Sequence, residues 1–349
     1  EKDSDFISPF DQNKVTLPLS SESRSTKSLA ERTEQAMRML KAHQNPSAHQ
    51  CKNTKFLLCD VNGGGNHGAG SRIVVVSRCI TKAFLLGRVA LLSQRDSDTK
   101  IGKINHGSLE IFRQLQPWSS CTLKDMDLSR KKEYTNVLHW SPKECGGSCK
   151  KTLLPLQYSD LGLLFWKSME IAYVMRPKEE ISKEVHRLMS MLRWTSPRVA
   201  VHVRRTDKYR GGWYYNGKPD PSNPPEADFI PLASNFQTIT KYLERPQDGK
   251  YKKMDMLIVS DDNSGFLDIE KQSWPIFNFL NYSHAPDRVF GTYSEESARK
   301  LVTDIMILSK ADHLTVGSSC LGMIALLIKL VREQFCSNFQ LNDPDGGNG

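Results

Sequence analysis

The sequence predicts an α/β protein, and three observations carry that expectation. Short apolar strands alternate with amphipathic helices in two separate stretches of the chain. In the first stretch a glycine-rich loop joins a strand to a helix. The longest apolar run, Leu321 to Val331, is too short to span a membrane and contains Lys329, so it reads as a core helix.

At 349 residues the chain has room for two modest domains or one large α/β unit. Hydrophobic and charged fractions of 38% and 25% are those of an ordinary soluble globular protein. A formal charge of +9 admits anionic partners, whether nucleotides, phosphorylated sugars, nucleic acid or membrane surfaces, and does not choose among them. The basic residues are spread rather than blocked, and no zinc-finger, RNP or basic-zipper pattern occurs, so no nucleic-acid partner is expected. Eight cysteines are too dilute for a disulfide scaffold, although their number is even. Asn281-Tyr-Ser283 is a glycan acceptor sequon if the chain enters the secretory pathway.

Residues 1–27 are rich in Ser, Lys and Asp, lack apolar periodicity and read as disordered. Ser28-Leu-Ala-Glu31 has capping-box spacing and opens a helix to about Gln44, ended by Asn45-Pro46. This helical arm, 28–46, suits packing or the pairing of two copies. A first α/β unit, 50–195, follows. It reads as a strand at Lys55–Val61, a glycine loop to Gly70, a helix over Ser71–Leu86 and a strand at Arg88–Ser93. Residues 94–165 read as irregular, and helices follow at about Leu163–Val174 and Glu179–Leu192.

A second α/β unit, 196–340, alternates strands at Arg198–Val203, Met254–Ser260 and His313–Val316 with helices near Leu232–Leu243, Ser294–Lys310 and Ser319–Arg332. Residues 209–225 read as a long loop, and 341–349 as a tail. Such alternation implies a mostly parallel sheet with its ligand crevice at the carboxyl ends of the strands.

Several residues of this second unit suit an anionic ligand. In the strand Val199–Val203, side chains alternate, so His202 and Arg204 share one face at the strand's carboxyl end. Arg205, Asp207 and Lys208 lie in the loop beyond. Three cations so close suit a diphosphate, which Arg binds bidentately and Lys as a point charge, while surface ion pairing is the alternative. Asp304 falls on the apolar stripe of its helix. A carboxylate there must be paired; guanine's two adjacent N–H donors would satisfy it, as would backbone N–H groups or a structural Arg. Ser318-Ser319 stand at a helix start, as an anion site or a simple cap. Asp261-Asp262 follow a strand, placed to bind sugar hydroxyls or a metal or merely to start a turn. The loop over residues 63–70 lacks both the strict G-x-G-x-x-G order and a Walker lysine.

In this order, the motifs resemble the α1,6-fucosyltransferase family, which transfers fucose to the innermost GlcNAc of N-glycans. Rhizobial chitin-oligosaccharide fucosyltransferases are more distant relatives. The resemblance is strongest at His202-Val-Arg-Arg-Thr-Asp-Lys208. It is supported by Cys59-Asp-Val-Asn62 with its glycine loop, Ser260-Asp-Asp262, and Tyr293-Ser-Glu through Asp304 to Ser318-Ser319.

The resemblance implies a GT-B-like glycosyltransferase with a Rossmann-type donor unit and a second open-sheet α/β unit. It implies GDP-fucose as donor, a GlcNAc-containing acceptor, inversion at the fucose carbon, no metal or other cofactor, and a Golgi lumen location through an N-terminal anchor. His202 and Asp304 would then meet guanine, and Arg204 with Ser318 would hold the diphosphate. Asp207 and Lys208 would line the donor site. The family's catalytic glutamate sits in an E-A-x-F-x-P context shortly after its lysine. Here that context recurs only at Glu226-Ala-Asp-Phe-Ile-Pro231, which nominates Glu226 as base beyond an inserted loop. Cysteine pairs Cys51–Cys121 and Cys59–Cys79 are implied as well. The family's SH3-like domain would begin where this sequence stops. Two rival readings remain: a catalytically silent GDP-sugar or glycan binder, and a fucosyltransferase with an α1,2 or protein O-linked acceptor.

Overall fold

The computed structural model describes residues 28–59, 69–92, 107–122, 137–140, 154–195, 197–203, 214–215, 218–219, 236–237, 239, 254–260, 271–272, 274, 277–282, 294–316 and 319–335. Within them the chain forms two open parallel sheets with packed helices, the α/β class expected.

Helix α1, Leu29–Gln44, starts at the anticipated capping box, where Ser28 accepts from the Glu31 backbone and Glu31 from that of Ser28. Its apolar stripe, Ala36, Met37 and Leu40, is buried within this chain. Gln44 accepts from the Ala90 backbone at 3.0 Å, which fastens the helix end to an edge strand. A short helix α2, Ala48–Cys51, follows.

The first sheet comprises β1, Phe56–Cys59, between β2, Val89–Leu92, and β3, Val137–Trp140, all parallel. Helix α3, Ala69–Leu85, connects β1 to β2. Both disulfides implied by the resemblance are present here. Cys59–Cys79 ties β1 to α3, and Cys51–Cys121 ties α2 to the segment after α4, Gly107–Arg113. The reading of 94–165 as irregular requires correction, since it contains α4, β3 and a 3-10 turn at Leu156–Leu161. Each is short, and no amphipathic period develops over so few residues.

Helix α5, Gly162–Val174, is apolar nearly all round, and Phe165, Trp166, Met169, Ala172 and Val174 are all buried. It therefore sits inside the molecule, packed on α3 and α1 and on the last helix of the second unit. Helix α6, Glu179–Leu192, is amphipathic and buries only Ile181, Val185 and Leu188.

The second sheet has the order β8-β7-β4-β9 and is wholly parallel. Its strands are β4, Val199–Val203; β7, Met254–Ser260; β8, Phe277–Phe279; and β9, His313–Val316. Val199, Val201 and Val203 face one apolar cluster with Phe236 and Ile239, while Ala200 faces the main cluster, as strand alternation requires. Helices α7, Glu295–Leu308, and α8, Cys320–Leu330, cover that second face. Lys329 is buried along α8 and carries its ammonium to Glu333. No described helix is long and apolar enough to cross a membrane.

A small antiparallel hairpin, β5 at Tyr214–Tyr215 and β6 at Lys218–Pro219, lies within the stretch expected to be loop. The intervening Asn216-Gly217 is a strong two-residue hairpin signal.

Candidate functional site

The topology fixes where a ligand belongs. From β4 the chain moves outward through β7 to β8, then returns through α7 to place β9 on the opposite side of β4. Strand order thus reverses between β4 and β9, the position at which open α/β sheets carry a ligand crevice at the carboxyl ends of their strands. His202 stands at that end of β4, in register with Val316 of β9.

His202 is 7% exposed and packs against the first turn of α8. A Cβ built on Gly322 would lie 3.2 Å from His202 Nδ1 and 2.8 Å from Val316 Cβ, so only glycine admits this approach. Ser319 caps α8, its hydroxyl accepting from the Leu321 backbone at 3.3 Å. The start of α8 also meets the start of α3, where a Cβ on Gly70 would fall 2.6 Å from Cys320 Cβ. Cys320, not paired by the resemblance, is a free exposed thiol whose Sγ lies 3.7 Å from Ser71 Oγ. The starts of α3 and α8 therefore meet, with His202 against the first turn of α8, and the dipoles of such helix ends favour an anion.

Asp304 lies on the buried stripe of α7 and is 4% exposed. Its Oδ1 accepts from the Tyr282 hydroxyl at 2.6 Å, a partner that differs from the backbone groups or Arg anticipated. Burial raises the Asp304 carboxyl to about 8, although the Tyr282 bond and Lys300 pull it down. The Tyr282 phenol is raised in turn by its own burial and by Asp304. Tyr282 follows the carboxyl end of β8, where Leu280 still donates to Met256 at 2.9 Å.

Of the residues nominated from sequence, the structure places His202, Asp304 and Ser319. His202 and Ser319 adjoin the start of α8, and Asp304 is joined to the edge-strand segment through Tyr282. Arg204, Arg205, Asp207, Lys208, Glu226, Asp261, Asp262 and Ser318 lie outside the described residues. The helix expected at Leu232–Leu243 falls largely outside them as well.

The sequence reading missed Arg72 and Tyr282. Arg72 is 4% exposed on the first turn of α3, two residues from the Gly70–Cys320 approach. A cation at a helix start opposes the dipole, which was the available signal. Nothing in the sequence marks Tyr282 as a partner of Asp304.

The family model for the N- and catalytic domains of alpha-(1,6)-fucosyltransferases matches residues 138–322, over half of the chain. The chain belongs to the α1,6-fucosyltransferase family. The matched span contains the second sheet, His202 and Asp304, and ends at Gly322, whose bare Cα lets β4 and α8 close together. An alpha-(1,6)-fucosyltransferase of Drosophila melanogaster is 22% identical over 297 residues, which are 78% of this chain and 42% of the relative. This family member thus spans less than half the length of that curated relative. An Arabidopsis thaliana FUT1 mutant solved in complex with GDP aligns over 86% of this chain and 72% of its own, with 14% identity and a TM-score of 0.40.

Proposed function

We propose that this chain moves L-fucose from GDP-fucose to a GlcNAc-containing glycan, with the N-glycan core and an α1,6 linkage as the favoured product. The family match across the second sheet, with His202 at its switch point, is the observation that carries this reading. Guanine rests against His202 and Asp304. The diphosphate lies by the start of α8, held by Arg204, Arg205, Ser318 and Ser319, with Lys208 and Asp207 beside it. Asp261 and Asp262 contact sugar hydroxyls.

In the reaction, the acceptor oxygen attacks the anomeric carbon of fucose from the face opposite GDP. The bond from that carbon to the β-phosphate oxygen breaks, and its electron pair leaves with GDP, whose charge Arg204 and Lys208 offset. Glu226 takes the acceptor hydroxyl proton. The cation set makes a divalent metal unnecessary in this scheme. The Golgi lumen is the proposed compartment, and Cys51–Cys121 and Cys59–Cys79 suit its oxidising conditions. Pairing of two copies through α1 would use its outer face, because the apolar stripe is already buried.

Glu226→Gln tests the assignment of the base. Turnover should fall by ~10²–10⁴ with donor affinity retained. Near-parental turnover in that variant, with loss in Asp207→Asn, Asp220→Asn or Asp228→Asn, would move the base elsewhere. The second reading, a silent donor-binding relative, is favoured by the sequence Tyr209-Arg-Gly-Gly-Trp213 after Lys208, which offers no acid where the family has its own.

A further inference from the structure

Asp304 is a buried carboxyl group whose second oxygen receives no hydrogen bond from a described residue. A carboxylate offers about four lone-pair sites, and the Tyr282 hydroxyl occupies one of them. The remaining sites can accept from a ligand only if the carboxyl group keeps both its orientation and its charge. Its position on α7 does not secure either, because the carboxyl group ends a side chain with two free torsions. Tyr282 supplies the constraint from a different element. Its ring packs on the main apolar cluster, and its backbone leaves the carboxyl end of β8, the end of the sheet at which His202 also stands.

We propose that Tyr282 is a positioning residue for nucleobase recognition, clamping Asp304 so that the carboxylate presents its free lone pairs to the two adjacent N–H donors of a guanine. This rests on the donor reading above and adds to it the residue that sets base specificity. The clamp acts on charge as well as direction. A phenol O–H donating to Oδ1 favours the ionised carboxylate and so opposes the burial that raises Asp304. Among the described residues, Lys300, one turn earlier on α7, acts on the carboxyl group, and Glu184 of α6 acts on the phenol.

The sign of the pH effect follows. Guanine's donors require the ionised carboxylate, so GDP binding strengthens as pH rises towards the Asp304 value of about 8. Loss of the hydroxyl removes an influence that lowers that value, so the midpoint must move upward.

Calorimetric titration of GDP and inosine diphosphate, which lacks the exocyclic amino group, between pH 6 and 8.5 tests the proposal on the full chain. Tyr282→Phe keeps the ring and its packing. It should weaken GDP binding about tenfold at pH 7, as expected for a lost bond to a charged group. It should also weaken inosine diphosphate binding less and shift the midpoint of the GDP profile to higher pH. A purely structural role for Tyr282 would leave that midpoint in place. Parental GDP affinity with an unmoved midpoint overturns the proposal. Tighter GDP binding overturns it too, by showing that the hydroxyl competes with the base. Asp304→Asn separates the two layers of the argument: if it retains parental GDP affinity and the parental preference for GDP over ADP, the donor reading of Asp304 fails as well.

Discussion

Glu170 gives a sharp test of the fold's internal chemistry. It lies on α5 facing α3, 4% exposed, among Ser77, Thr81 and Trp166. Thr81 donates to Oε2 at 2.5 Å and itself accepts from Trp166 Nε1 at 2.9 Å. Ser77 has one hydroxyl proton but two acceptors in reach, Val74 O at 2.9 Å and Glu170 Oε1 at 3.3 Å. A proton on Oε1 resolves this, with Glu170 donating to Ser77 and Ser77 to Val74. The neutral acid therefore completes the network, and burial lifts its pKa from 4.5 to about 7 against the pull of the Thr81 hydroxyl, Arg78 and Lys167.

A folded pKa above the unfolded value means that stability is fully present below pH 4.5 and is lost as pH rises through 7. At 1.36 kcal/mol per unit the loss is ~3 kcal/mol. Glu170→Gln stays neutral and keeps the bonds to Ser77 and Thr81, but leaves one amide hydrogen unpaired at a cost of ~1 kcal/mol. The variant should be the less stable protein at pH 4.5 and the more stable one at pH 8. Urea denaturation at the two pH values measures both differences. Equal pH slopes for parent and variant would refute the reasoning.

Two further outcomes follow from the site. Gly322→Ala should destabilise the protein by ~1–3 kcal/mol through overpacking against Val316, despite alanine's better helix propensity, and it should weaken GDP binding by displacing His202; thermal melts and calorimetry read the two effects. Fucosyl transfer should survive EDTA, and loss of activity restored by manganese or magnesium would give Asp261 and Asp262 a metal role.

What could be read from sequence was whatever local chemistry determines. Helix α1 begins at its capping box, and α6 ends where its amphipathic stripe ends. The strand Met254–Ser260 and the strand His313–Val316 fall where their apolar runs placed them. Elements stabilised by their neighbours were missed: β8 has three residues and exists because β7 pairs with it. The same division holds at the site. Asp304 was visible as a charge on an apolar stripe, but its partner Tyr282 lies on another element and carries no local signal. Glu170 was hidden in the same way, since Thr81 and Ser77 approach it across 89 and 93 residues.

The central claim is that this family member transfers fucose from GDP-fucose to a GlcNAc-containing glycan. Its most direct test incubates the protein with GDP-fucose, with and without a GlcNAc-terminated biantennary N-glycan, and follows GDP release together with the mass of the glycan. The account predicts acceptor-dependent GDP release matched by addition of one deoxyhexose to the glycan, and loss of both in Arg204→Ala. GDP binding without release in either condition would contradict it and identify a silent donor-binding relative.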